Sequence, residues 1–513
     1  MTSPVPEVPV RKATLSRYRS FETTAVAFIF VAYTLVYFVS AIRRASSARP
    51  WLDEVLTLWI CRLPTMAGVW RVLHGSPDSA PPAWDLICRG FMALTGNDYL
   101  GIRMLAILGF YAAQVAIFLF VRARFAPVFA ALAMLIPAAT GAEMYTVHGR
   151  PYGGVFGCAG IAALLWQRCG SPRRSWLLPV GLWLSLTLMV SLHFYAVLIL
   201  IPFGLAELAR TWNTRRVHWA NWCAMVFSAA PLLIAIPLIA PIRAFNVANA
   251  AGSAYFGRPT MVALVQSATG LRNTYMVAPL ILGVCLLILA GLALGIDAIR
   301  RRKGLLLEES VLALALIAFP TLSFLMAELG TGTFHFRYNL VAMFGLSVGV
   351  AVLVSRFRDG RWLGLALCLA LLVMILGISI AQATRPKPRD MDAGFLETDR
   401  SDLPIVVSEG LKFVELMENA PELRPRLVYW TTPAGVRSAD PTNENIIKVC
   451  NQFHPLPISS PEAFMASHST FLLYHTEQTA NSVTDWALKT ARTVEIVGHR
   501  EDAWLFRLST SAR

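Results

Sequence analysis

Asp53 and Glu54 stand side by side just past the first long apolar run, and Asp78 follows ahead of a Pro81-Pro82 pair. Adjacent carboxylates at a membrane surface can accept a proton, hold a metal ion or bind a polar substrate. All three lie in one hydrophilic loop of about fifty-five residues, a length at which loops are usually functional. Further along, Arg103, Glu143, Arg150, His193 and Arg337 fall at the ends of apolar runs, with Tyr152, Tyr195 and Tyr338 beside them. A guanidinium next to a phenol in a water-poor site can stabilise a phosphate whose charge grows as a bond to it breaks. A carboxylate as close to a span as Glu143 is costly without a role.

The elements that must position these groups follow from composition. The 513-residue chain is 56% hydrophobic and 15% charged, with a mean hydropathy of +0.55. An ordinary soluble domain carries about 25% charged residues, so this is the composition of an integral membrane protein. Apolar runs near the ~20 residues needed to cross a bilayer are Ala25–Ile42, Leu100–Val121, Val128–Gly141, Tyr152–Trp166, Trp176–Leu192, Phe194–Leu208, Ala220–Ala240, Met276–Ile296, Val311–Leu329, Tyr338–Val354 and Trp362–Ile380. The expected fold is therefore mostly α, a bundle of about eleven transmembrane helices over residues 1–384. The first run is too long for a cleaved secretory signal and no clean cleavage site follows it, so it reads as an anchor.

Basic residues cluster at Arg122 and Arg124, Arg168 to Arg174, Arg210 to Arg216, Arg300 to Lys303 and Arg356 to Arg361. With these spans, all five clusters share the side of the N-terminus, which makes that side cytoplasmic and the loop of Asp53 extracytoplasmic. The +14 net charge is then topology rather than a nucleic-acid footprint. Arg43, Arg44 and Arg49 on the other side run against the pattern. Cys61, Cys88 and Cys450 lie on the outer side, where a Cys61–Cys88 disulfide and free thiols both remain open. The Trp- and Leu-bearing faces of residues 55–73 and 84–94 have helical spacing and read as amphipathic interfacial segments.

Past Ile380 the character changes. Arg385-Pro386-Lys387-Pro388-Arg389 reads as a stiff linker, and residues 385–513 as a small α/β unit on the outer side. Strands are expected at Leu403–Ser408, Arg426–Trp430, Phe471–His475 and Ala503–Leu508, with helices at Glu409–Glu418 and Val483–Ala491.

The ordered motifs also carry a resemblance. Trp51-Leu52-Asp53-Glu54, Asp78-Ser79-Ala80-Pro81-Pro82, Gly101-Ile102-Arg103, Gly149-Arg150-Pro151-Tyr152, His193-Phe194-Tyr195 and Phe336-Arg337-Tyr338 resemble, in order, signatures of the polytopic C-superfamily glycosyltransferases. These include the protein O-mannosyltransferases, the aminoarabinose transferases and the Rhizobium galacturonosyltransferase-like proteins. Ala80 stands where that family usually has His or Lys, and His74 is the nearest substitute. The resemblance implies a transferase of the inner cell membrane, with its active site on the outer, periplasmic face. A polyprenyl-phosphate sugar is then the donor, and a lipid, glycan or protein the acceptor. In such an enzyme Asp53 is the base and Glu54 assists it. Asp78, Arg103, Glu143, Arg150, Tyr152, His193, Tyr195, Arg337 and Tyr338 bind substrate. No cofactor is implied, and no His/Asp spacing favours a divalent metal. The competing readings are a polytopic transporter or flippase, and a non-catalytic subunit of polysaccharide assembly.

Overall fold

The computed structural model describes residues 10–75, 78, 80–170, 175–250, 259–269, 277–300, 304–384, 388–436, 438, 441–476 and 482–510. Parts of two basic clusters, of the 385–389 linker and of the Met276 run lie outside them. Helices α1 (Val10–Ser47), α2 (Leu52–Cys61), α3 (Met66–His74), α4 (Pro82–Thr95) and α5 (Asp98–Arg122) lead into α6 (Pro127–Leu135), α7 (Tyr152–Cys169), α8 (Leu177–Leu192) and α9 (Leu200–Thr214). The bundle is completed by α10 (Trp219–Phe227), α11 (Pro231–Ala250), α12 (Met261–Thr269) and α13 (Val277–Arg300). After them come α14 (Leu307–Ile317), α15 (Phe319–Met326), α16 (Ala342–Ser355) and α17 (Gly360–Thr384).

The described parts of all eleven apolar runs fall on helices, but fewer of these are long unbroken ones. Among the described residues five helical stretches are long and apolar enough to cross a membrane: Ser20–Ser47, Asp98–Arg122, Phe194–Thr214, Trp219–Ala244 and Gly360–Thr384. Leu307–Ile317 and Phe319–Gly330 reach that length only as a pair bent by 46°. Four shorter apolar helices accompany them. The shortening has a cause in the chain: Pro137, His193 and the Phe336–Asn339 turn interrupt the helices at one end of the bundle. The chain is a multi-pass membrane protein, and these interruptions are where its polar residues gather.

Helices α5 and α7 pack backbone to backbone. A Cβ on Gly109 would meet the Gly153 carbonyl at under 3.0 Å, and one on Gly157 would meet that of Gly109 equally closely. Small residues permit this approach, and dispersion rewards it in a lipid solvent that supplies no hydrophobic drive between helices. The consequence is positional. Arg103 on α5 and Arg150, just ahead of α7, are held near each other at one end of the bundle.

That end is covered by the two segments of the long loop and by the C-terminal α/β unit. In the unit, α18 (Pro388–Leu396) precedes β1 (Ile405–Val407), α19 (Gly410–Asn419), β2 (Leu427–Trp430), α20 (Pro441–Cys450) and β3 (Ile458–Ser459). Then follow α21 (Pro461–Ser467), β4 (Thr470–Thr476), α22 (Ser482–Thr490), β5 (Thr493–Arg500) and β6 (Ala503–Ser509). The sheet order is β3-β2-β1-β4-β6-β5, with the first four strands parallel and the last two antiparallel. Side chains alternate along each strand. Ile405, Val407, Leu472 and Tyr474 face α19 and share a core with Leu52, Val55, Leu56 and Trp59 of α2. Val406, Phe471, Leu473 and Trp430 face Val483 and Ala487 of α22. The four expected strands and two expected helices are present. The short β3 and the edge strand β5 are additional.

Candidate functional site

Helix α2 presents three faces to three different partners, and its two adjacent carboxylates part company. Glu54 points into the bundle and is 1% exposed. Its oxygens take a two-pronged ion pair from Arg103, Nε to Oε1 at 2.9 Å and Nη2 to Oε2 at 2.7 Å. The Gly149 amide donates to Oε1 at 2.6 Å and the Trp51 amide to Oε2 at 3.3 Å. Burial alone raises a carboxyl pKa, but the Arg103 guanidinium reverses that and holds Glu54 down at about 2. Arg103 spends its remaining donors on the carbonyls of Ala45 and Ala48 at 2.6 and 2.7 Å. Glu54 and Arg103 therefore lock the end of α1, α2, α5 and the approach to α7 together. Both oxygens of one and the guanidinium of the other are engaged by protein.

Asp53 lies on the next face and stays partly accessible, its side chain 19% exposed. Oδ2 accepts from Arg337 Nη1 at 2.6 Å and lies 3.9 Å from Arg150 Nε. Arg150 is fixed from behind by Asp78, Nη1 to Oδ2 at 2.5 Å and Nη2 to Oδ1 at 2.8 Å. Asp78 also accepts from the Ala80 amide at 3.1 Å. Thr57, one helical turn beyond Asp53, accepts from Arg150 Nη1 at 3.2 Å. Two guanidinium groups and two carboxylates thus form one buried, charge-balanced cluster. The Nε–H groups of both Arg150 and Arg337 are buried and have no hydrogen-bond acceptor among the described residues. An orphaned buried donor of this kind is expensive unless an oxygen from elsewhere completes it.

An aromatic wall surrounds the second arginine. The Arg337 guanidinium lies 5.4 Å from the ring centroid of Tyr152, 5.9 Å from Tyr338 and 6.0 Å from Trp51. Tyr195 stacks on Tyr338 at 4.8 Å and anchors its hydroxyl on the Thr333 carbonyl at 2.7 Å. His193 lies 4.9 Å from Tyr338, and its Nδ1 accepts from the Tyr195 amide at 3.2 Å, which leaves the ring proton on Nε2. Burial, aided by Arg150 and Arg337, pulls His193 down to about 3, so the ring is a neutral donor at any physiological pH. Tyr152, Val155, His193, Ala196, Arg337, Tyr338 and Val341 line a small pocket with room for roughly one water.

Asp53, Asp78, Arg150, Tyr152, His193, Tyr195, Arg337 and Tyr338 come together here as the sequence expected. Glu143 does not. It pairs with Arg44, beside Gln382, and so ties the end of α1 to α17 away from the pocket. Nor does the cluster include His74, whose Nδ1 contacts its own helix at the Trp70 carbonyl. Arg243 is exposed on α11. Cys61 and Cys88 are buried free thiols. Two participants escaped the sequence reading, Thr57 and Asp85, and Trp51 entered it only as part of the Asp53-Glu54 motif. Thr57 was readable as the i+4 neighbour of Asp53. Asp85 is wholly buried with one oxygen lacking an acceptor or donor, and burial, then Asp78, raises it well above the usual carboxylate range. No group of three or more His, Cys, Asp or Glu among the described residues is arranged to hold a metal ion.

No protein-family model matches the chain, and no curated protein matches it by sequence. Solved structures do. ArnT from Cupriavidus metallidurans in the apo state superimposes over 94% of this chain and 98% of its own, with a TM-score of 0.57 and 12% identity. The same protein bound to undecaprenyl phosphate gives the same values. The Archaeoglobus fulgidus oligosaccharyltransferase in the apo form matches 87% of this chain and 69% of its own at a TM-score of 0.45 and 12% identity. The chain has the fold of ArnT, helical membrane part and C-terminal α/β unit together.

Proposed function

We propose that the chain is a membrane glycosyltransferase that moves a sugar from a polyprenyl-phosphate donor to a lipid, glycan or protein acceptor. The observation that carries the reading is the pair of buried, acceptorless Nε–H groups on Arg150 and Arg337, set beside a partly accessible carboxylate. A phosphate oxygen is the acceptor such donors suit, and planar guanidinium groups bind phosphate with defined geometry. The fold shared with ArnT, a protein solved with undecaprenyl phosphate bound, supports the same class of ligand.

The reaction then runs as an inverting displacement. The acceptor hydroxyl or amine gives its proton to an Asp53 oxygen as it attacks the anomeric carbon. The carbon–oxygen bond to phosphate breaks, and its electron pair leaves on the polyprenyl phosphate. Arg150 and Arg337 neutralise that growing charge in a site poor in water, where fixed charges act most strongly. The resting 2.6 Å contact between Asp53 and Arg337 implies competition. Donor phosphate draws on Arg337 and thereby frees the Asp53 oxygen that Arg337 occupies. Asp78 holds Arg150 square to the phosphate, and His193 offers a neutral Nε2–H. The pocket holds only about one water at rest, so donor entry displaces aromatic side chains. Two guanidinium groups already supply the positive charge that a divalent ion would bring, so we take the reaction to be metal-independent. The site faces the outer, periplasmic side of the inner membrane, opposite the basic loops.

The test is a purified, detergent-solubilised protein offered a panel of polyprenyl-phosphate sugars, with release of free polyprenyl phosphate as the readout. Turnover that survives a chelator and falls about 10²–10⁴-fold in Asp53→Asn supports the reading. Near-full turnover in Asp53→Asn removes Asp53 as the base. Chelator-sensitive turnover removes the metal-independent mechanism.

A further inference from the structure

From within the helix, the start of α2 is capped only in part: Glu54 Oε2 accepts from the Trp51 amide at 3.3 Å. Its N-cap position is Trp51, whose side chain makes no capping hydrogen bond, although the first amides of a helix need acceptors. One of them, on Leu52, is taken by Glu415 Oε1 at 3.2 Å, from 363 residues further along the chain. The far end of α2 is held by the same distant helix. Glu418 accepts from the Trp59 indole at 3.0 Å and from Arg62 Nη1 at 2.9 and 3.1 Å. Asn419 completes the row, donating to the Pro50 carbonyl at 2.9 Å while its own carbonyl accepts from Arg49 at 2.6 Å.

Glu415, Glu418 and Asn419 are spaced i, i+3, i+4 and so share one face of α19. All three are more than nine-tenths buried. Between the polar anchors, Leu52, Val55, Leu56 and Trp59 pack into one core with Phe413, Leu416 and Met417. Well-packed apolar residues would stabilise such a contact as well as buried carboxylates do, often better. What directed hydrogen bonds add is a fixed axial and rotational setting for α2. Asp53 sits one residue past the amide that Glu415 caps. Its carboxylate must stay within reach of Arg337 and of an acceptor, and a displacement of about 1 Å in such geometry can cost roughly 10²-fold in rate.

We propose that Glu415 and Glu418 are positioning residues for Asp53: the C-terminal α/β unit, through α19, sets the register of the helix that carries the base. The Asp53 role itself rests on the function proposed above. The C-terminal unit is then part of the catalytic apparatus rather than an appendage of it.

The experiment uses the full chain in detergent with Glu415→Ala, Glu418→Ala and Trp59→Phe, and the conservative Glu415→Gln, which retains an acceptor for the Leu52 amide. Two readouts are taken: turnover against donor concentration, and hydrogen exchange of the α2 amides and of the β1 and β4 amides. The expected result is a kcat lowered about tenfold or more in Glu415→Ala with the donor KM within about twofold. Faster exchange is expected in α2 with β1 and β4 unchanged, and most of kcat should return in Glu415→Gln. Trp59→Phe, which deletes one donor and little volume, should give a smaller loss in the same sense even where an alanine variant fails to fold. Unchanged kcat and α2 exchange across the set overturn the proposal, as does a KM increase at constant kcat. The exchange arm needs no turnover. Faster α2 exchange in a protein that turns over no donor supports the clamp and counts against the enzyme reading instead.

Discussion

Asp53 and Arg337 occupy each other in the resting site, so substitution at either position reads on both. Arg337→Ala removes a charge-assisted contact to phosphate, and transfer should lose about 1.5–3 kcal/mol of donor-dependent stabilisation. Arg337→Lys should recover part of it, since a point charge replaces a planar fork. Steady-state kinetics over donor concentration check both, and unchanged donor dependence would make Arg337 an interfacial anchor only. Glu54 behaves differently. Removing its charge in Glu54→Gln leaves Arg103 buried and uncompensated, a change that costs about 3–5 kcal/mol. Thermal unfolding in detergent should show the loss. The sign with pH follows from a folded pKa of about 2 against an ordinary 4.5. The stabilisation is complete above the ordinary value and fades as pH falls from there towards 2. Wild type should therefore lose this margin on acidification across that window, and Glu54→Gln should show no such component. The adjacent Asp53-Glu54 pair pointed, in the sequence, to where the charged cluster forms. Which carboxylate faces solvent did not follow from it, because Arg103 and Gly149, 49 and 95 residues away, decide the matter.

At the scale of elements, what was legible was what periodicity encodes. Apolar length marked every helical run, and alternation marked β1, β2, β4 and β6, whose faces are buried on both sides. Strand β5 escaped because it is an edge strand with an irregular register between Ile496 and Gly498, and its first four residues are exposed. Several of the apolar runs are cut short of an unbroken twenty-residue helix by polar turns, which apolar composition alone does not announce. The α5–α7 contact was invisible in another way: glycines in an apolar run read as neutral until a second helix is laid against them. Gly157→Ala tests that contact. Its added Cβ meets the Gly109 backbone at under 3.0 Å, so α7 must move rather than a flexible side chain. Overpacking of this kind costs about 1–3 kcal/mol. The melting temperature should drop, and because α7 carries Arg150 at its start, donor affinity should weaken with it. A variant with wild-type melting and kinetics would show that α5 and α7 are less closely packed than described.

For the whole molecule, polar anchoring is divided between two ends. At the site end lie Arg44 with Glu143 and Gln382, Arg103 with Glu54, and Arg62 with Glu418. At the opposite ends of the same helices lie Arg361 with Glu22, Arg124 with Glu309, and Glu207 with Arg210, Trp166 and Asn221. The described residues of the basic loops gather at this second end. The exceptions at Arg44 and Arg49 are explained by partners, a carboxylate and a backbone carbonyl, that engage them at the site end. Positive loops mark the cytoplasmic side, and on that rule we propose that the C-terminal unit and Asp53 lie outside. Single cysteines can decide it, in a background where the exposed Cys223 and Cys285 are replaced by serine. Thr398 and Arg358 are both exposed, one in the C-terminal unit and one in the loop between α16 and α17. In intact cells a membrane-impermeant maleimide should label Thr398→Cys, while Arg358→Cys should react only once the membrane is opened. Labelling in the reverse order would put the site on the cytoplasmic face, and with it the donor's sugar. Equal labelling of both without permeabilisation would mean that the two ends do not lie on opposite sides of a sealed bilayer, and the membrane topology would have to be redrawn around the site.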